Sequence, residues 1–195
     1  AEKHAAKREA AAPATSMLAP LPNAMPREAV ERKPPVTAKS ESSVPMIQRG
    51  TDEGARIMLA EFVKPGADLR ALTLRLKPTK ADYEAVFEKP FAATLQSAQE
   101  PVWNADETVI KGRPEQTEVL LKKVSSADAH NWSAEARQIL PGGYERIAPD
   151  INPGHTFYTF SFVKPGESLG IRYDVLVHVN GQWRLFPKPW RAKKE

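Results

Sequence analysis

Cysteine is absent from the 195-residue chain, which excludes a disulfide framework, a thiolate metal site and a cysteine nucleophile together. Long apolar runs are missing too. No stretch approaches the roughly 18 apolar residues of a membrane span, and no signal-type apolar region precedes "AEKHAA". Residues 1 to 50 have no aromatic side chain and hold 11 Ala and 7 Pro among scattered charges. Such a stretch buries too little apolar surface to offset the entropy of ordering, so 1–50 reads as a disordered tether. Glycine-rich phosphate loops and nucleophile elbows do not occur. The four histidines, His4, His130, His155 and His178, are too scattered to form a pair at ligand spacing. Motifs for catalysis, a metal or a cofactor are therefore lacking, and the expectation is no metal and no cofactor.

What is present is a basic balance, +4 overall, and its distribution matters more than its sum. Residues 1–50 carry +3 and the last nine, "PKPWRAKKE", carry +3, whereas 51–186 carry −2. Positive charge on the ends rather than the body argues against a dedicated nucleic-acid face. All Trp, Tyr and Phe lie beyond residue 50. The remaining 145 residues suffice for one core burying roughly two thirds of the unfolded surface. The expected organisation is a tether over 1–50, one α+β domain over 51–190 and a basic tail over 191–195.

Helical punctuation fills the first half of that domain. "TDEGARIMLAEFVKPG" clusters Ile57, Leu59, Ala60 and Phe62 before Pro65-Gly66 stops the helix. Asp68 can cap a second helix with Leu69, Leu72 and Leu76 on one stripe. Thr79 with Asp82 makes a variant capping box ahead of Tyr83, Val86 and Phe87. Pro90 suits the first turn of a fourth helix, aligning Phe91, Leu95 and Ala98.

Strand signals follow. They are "QTEVLLKKV" (116–124), a run short enough that a helix is the alternative, "HTFYTFSFV" (155–163), "LGIRYDVLVHV" (169–179) and "QWRLF" (182–186), with a short helix capped by Ser133 and a glycine turn "PGGY" between the first two. "FVKPGADL" (62–69) and "FVKPGESL" (162–169) match at six of eight positions, yet their flanks differ, and reuse of a local Pro-Gly turn explains them without a duplicated domain.

The hairpin through Asn180-Gly181 has a definite register, because both residues tolerate the positive φ that a two-residue turn demands. Val179 should face Gln182, and His178 should sit beside Trp183. Unbroken alternation then puts Ile171, Tyr173, Val175, Val177, Val179 and Phe186 on a core face. The other face would carry Arg172, Asp174, Leu176, His178, Trp183 and Leu185, mixing ionisable with large apolar groups. A solvated face, a protomer interface and a small-ligand pocket each fit such a surface. Arg172, Asp174, His178 and Trp183 are accordingly the candidate ligand-binding residues. Asp174 and His178, four apart on a strand and so roughly 13 Å apart along it, are too distant for a direct dyad.

Helices followed by antiparallel strands resemble the curved NTF2-like or cystatin-like α+β cone. "PGGY", "FVKPGE" and "YDVLVHVNGQWRLFPKPWR" are similar to stretches of uncharacterised bacterial exported proteins. The resemblance implies a pocket that serves catalysis in some members and binding or dimerisation in many, and does not choose among them. The aromatic-poor arm, the compact body and the missing catalytic motifs give the expectation of a non-catalytic binding or interaction domain, periplasmic or secreted after removal of a signal, with cytoplasmic placement as the alternative. It leaves open a protein or small-molecule partner and a homodimer. A small-pocket enzyme using His178 or Asp174 as acid/base, with Trp183 as wall, and an immunity or inhibitor protein are the competing expectations.

Overall fold

The structure, a computed structural model, describes residues 50–107 and 109–193. The expected tether over 1–50 lies outside these residues, apart from Gly50. All four helices of the first half form: α1 (Asp52–Ala60), α2 (Leu69–Arg75), α3 (Lys80–Val86) and α4 (Lys89–Asn104). Their starts follow from local chemistry. Thr51, Asp68 and Thr79 accept hydrogen bonds from Gly54, Ala71 and Asp82 backbone N–H groups, meeting donors that a helix start leaves without partners. Thr79 and Asp82 close the capping box reciprocally.

The second half holds strand β1 (Glu118–Ser125), helices α5 (Ser126–His130) and α6 (Ala134–Ile139), a 3₁₀ helix over Gly142–Asp150, and strands β2 (Thr156–Val163), β3 (Gly170–Val179) and β4 (Gln182–Leu185). A last 3₁₀ turn covers Pro189–Ala192. Helix α5 was not legible from sequence. "PGGY" opens the 3₁₀ helix rather than a simple turn. The fold is thus α+β, with helices preceding a four-stranded antiparallel sheet ordered β1-β2-β3-β4. No helix among the described residues is long and apolar enough to cross a membrane.

Both faces of the sheet are covered, giving two cores. One gathers Tyr83 and Val86 of α3, Phe87 just after it, Phe91 and Leu95 of α4, and Tyr144 and Ile147 around Phe157, Val175, Val177 and Phe186. The other gathers Ala55, Leu59 and Phe62, then Leu76, Trp103 and Ile110, around Tyr158, Phe160, Phe162, Leu176 and Leu185. The face expected to be solvated, an interface or a pocket is largely this second core, sealed by α1.

The α4 stripe also differs from expectation. Ala98 is exposed, and Gln99, only 4% exposed, takes the inward position. Its carbonyl accepts from the Tyr83 hydroxyl at 2.8 Å and its amide donates to Pro187 O at 2.7 Å. A satisfied amide is tolerated in a core, whereas an unsatisfied one is costly.

The hairpin register matches expectation: Val179 faces Gln182, His178 faces Trp183, Val177 faces Arg184 and Leu176 faces Leu185. Asn180 and Gly181 have φ of 50° and 74°. Strand β3, however, does not alternate without interruption. Two steps of β2, from Tyr158 to Phe160, span three of β3, from Leu176 to Tyr173. The extra residue is a β-bulge at which Val175 takes φ 58°. A bulge reverses the facing of everything beyond it. Tyr173 therefore joins Leu176 and Trp183 in the second core instead of Val175 and Val177 in the first.

Candidate functional site: the open edge of strand β3

The bulge separates the four candidate residues. His178 and Trp183 lie on the face of α1, where His178 meets Trp183 edge-on at 5.1 Å and Trp183 meets Tyr158 at 5.5 Å. Tyr158 donates its hydroxyl hydrogen to Asp52 at 3.0 Å, and Lys123 Nζ reaches the same carboxylate at 2.8 Å. The Lys123 bond, against a smaller opposing effect of burial and with help from Tyr158, holds Asp52 below the usual carboxylate range. Burial and then the Asp52 bond push Tyr158 up to about 12. Asp52 thereby fastens the start of α1 to β1 and β2. Gly50 packs so close to His178 that an added Cβ would come within 2.8 Å of Nδ1.

Arg172 and Asp174 turn the other way. Arg172 Nε donates to Asp174 Oδ1 at 2.8 Å, and its Nη2 donates to Ile139 O. Beneath them Tyr144 is fully buried, its hydroxyl without a hydrogen-bond partner among the described residues. Burial, reinforced by the nearby Asp174 charge, raises its pKa far above the ordinary value. Trp190 rests on Tyr144 with ring centroids 4.9 Å apart, so this tryptophan packs back on the body as a clamp for the C-terminal segment. Asp174 is engaged by Arg172, and His178 lies on the opposite face of the sheet, so the two residues considered singly as acid/base are far apart, as their spacing on the strand predicts.

Arg172 and Asp174 do line a site, a groove of about 600 Å³ that sequence reasoning missed. Strand β3 has ten residues and β4 only four. The last ladder contact runs from Phe186 N–H to Val175 O. Beyond it Pro187 and Pro189 lack an N–H and cannot extend β4. Residues Gly170–Asp174 consequently have β2 on one side and, among the described residues, no strand on the other.

Helix α4 supplies one wall of the groove through Leu95, Ala98 and Val102, and the segment from Pro187 to Ala192 supplies the opposite one. Gln99 ties the two walls together through Pro187 O. Lys188 and Arg191 add two exposed cations. The missed signal was the mismatch between ten strand residues before the turn and only five between the turn and Pro187. Comparison with protein-family models, with curated proteins and with solved structures finds no match to this chain.

Proposed function

We propose that the protein is a non-catalytic binding module that takes an extended segment of a partner protein as an added strand along Gly170–Asp174. The observation that carries the reading is the one-sided pairing of this stretch at the groove between α4 and the C-terminal segment. An unpaired strand edge presents N–H and C=O groups at a spacing that any extended chain can match. Five residues, about 17 Å of strand, give main-chain hydrogen bonds, while Leu95, Ala98 and Val102 receive alternate side chains.

A groove of this size also suits a small ligand, but only an extended chain can use the whole length of the open edge. A second copy is disfavoured by charge, because it would bring Lys188 and Arg191 towards cations of its own groove. Placement in the bacterial envelope after export belongs to the same proposal and is supported by the composition of 1–50. Kinship with NTF2-like or cystatin-like cones is supported by the order of helices before sheet.

The test is amide hydrogen exchange on the full chain, before and after a panel of synthetic extended peptides is added. Binding peptides should slow exchange within Gly170–Asp174. Peptides that bind yet leave these amides unchanged, or a panel in which none binds, would refute strand addition here.

A further inference from the structure

A second groove, of about 680 Å³, opens on the neighbouring surface, and Ile171 lines both. Its walls are the Phe62–Ala67 turn and the segment from Lys111 to Thr117. That segment is pinned by its backbone. The Tyr173 hydroxyl accepts from Lys111 N–H and donates to Lys111 O, both at 3.0 Å, and Gln116 Oε1 accepts from Arg113 N–H at 2.8 Å. Gly112 sits where a Cβ would come within 2.8 Å of Phe162. The backbone is therefore held against the sheet while the charged ends of Lys111 and Arg113 remain exposed.

The charges that line the two grooves are mostly positive, and of these Lys64 is already paired with Glu61. Lys188 and Arg191 at one end, and Lys111 and Arg113 at the other, enter no ion pair among the described residues. Among the described residues Asp174 is the one carboxylate lining either groove, and Arg172 already engages it. Leu169, 82% exposed, adds an apolar contact at the start of the open edge.

Resting on the strand-addition reading, we infer that the partner segment is acidic at both ends. It passes Ile171, with one group of carboxylates meeting Lys188 and Arg191 and the other meeting Lys111 and Arg113. Residues 1–50 of this chain carry +3, the wrong sign for the site, and a second copy would set the same four cations against each other. Electrostatic complementarity of this kind chooses partners and speeds encounter more than it adds affinity.

Three labelled peptides of about ten residues, long enough to cross both grooves, test the inference by fluorescence anisotropy with the full chain. All alternate Val and Thr; one has neutral ends, one a Glu pair at one end, one Glu pairs at both. The doubly acidic peptide should bind about tenfold tighter than the neutral one, with an advantage that shrinks as salt rises. The double substitution Lys111→Glu, Arg113→Glu should reduce it to the level of the singly acidic peptide, and Lys188→Glu, Arg191→Glu should do the same from the other end. These side chains are exposed, and circular dichroism should confirm unchanged folding.

Equal affinity for the neutral and doubly acidic peptides would overturn the inference and leave strand addition standing. No binding by any peptide would overturn strand addition itself. Self-association in sedimentation that excludes the peptides would assign the grooves to a second copy, and displacement of the doubly acidic peptide by a single-stranded oligonucleotide at lower concentration would assign them to nucleic acid. Either result overturns the inference.

Discussion

The two halves of strand β3 differ in almost every respect that a strand can. Val175–Val179 pairs with β4, alternates cleanly and is buried at four of five positions. Gly170–Asp174 has a neighbour on one side, faces the reverse way and stays exposed or half-buried throughout. A single residue with positive φ divides them. The closed half shows what stabilises the fold, and the open half shows where the fold leaves backbone groups for something else.

The largest contrast should appear between two aspartates, one serving each half. Asp82 is 1% exposed and accepts from Thr79 N–H, the Thr79 hydroxyl, Asn180 Nδ2 and Arg184 Nε at 2.7–2.8 Å. It thereby joins the start of α3 to the hairpin turn and to β4. Asp82→Ala leaves Arg184 without its partner and should cost about 3–5 kcal/mol in urea unfolding. Burial opposes ionisation of Asp82, but the Thr79, Asn180 and Arg184 bonds outweigh it and hold its pKa below the ordinary carboxylate value. A depressed native pKa gives stability that is complete above the unfolded value of about 3.9 and is lost as pH falls through the native one. Asp82→Asn should flatten this acid limb of the stability profile; an unchanged limb would show that other carboxylates govern it.

The hinge between the halves gives the next contrast. Val175 and Val177 are both fully buried, so truncating either to Ala removes the same atoms, about 1.6–2 kcal/mol of apolar burial. Val175 alone is a β-branched residue held at φ 58°, a region costly for such a side chain. Val175→Ala relieves part of that strain, and its unfolding free energy should fall by about 1 kcal/mol less than that of Val177→Ala. Equal losses would mean that the bulge carries no strain.

Which features were readable from the chain follows from how far away their causes lie. Asn180-Gly181 and Thr79–Asp82 are local signals, with donor, acceptor and required φ within four residues, and both behave as expected. The bulge carries no such mark. Val175 is an ordinary strand residue, and ten residues of plausible alternation concealed a reversal imposed by pairing with β2. That one reversal divided the candidate site, sending Arg172 and Asp174 to the groove and His178 and Trp183 to α1. Gln99 was passed over for Ala98 because its two partners, Tyr83 and Pro187, are 16 and 88 residues away. The groove itself was partly legible in the two prolines that stop β4 early, although the α4 wall was not.

The smallest effect is expected on the open half, and its smallness is informative. Arg172 and Asp174 form an ion pair whose side chains are 40% and 14% exposed, and water and salt screen such pairs to about 0–1 kcal/mol. Asp174→Ala should therefore barely move the urea midpoint, in contrast to Asp82→Ala. It would free Arg172 as a fifth available cation in the groove and so tighten the doubly acidic peptide by a factor of about two to five. Greater stability loss than this would mean that Asp174 supports the buried Tyr144 beneath it, making the open edge part of the scaffold. A tighter peptide complex with unchanged stability would separate binding from folding along one strand.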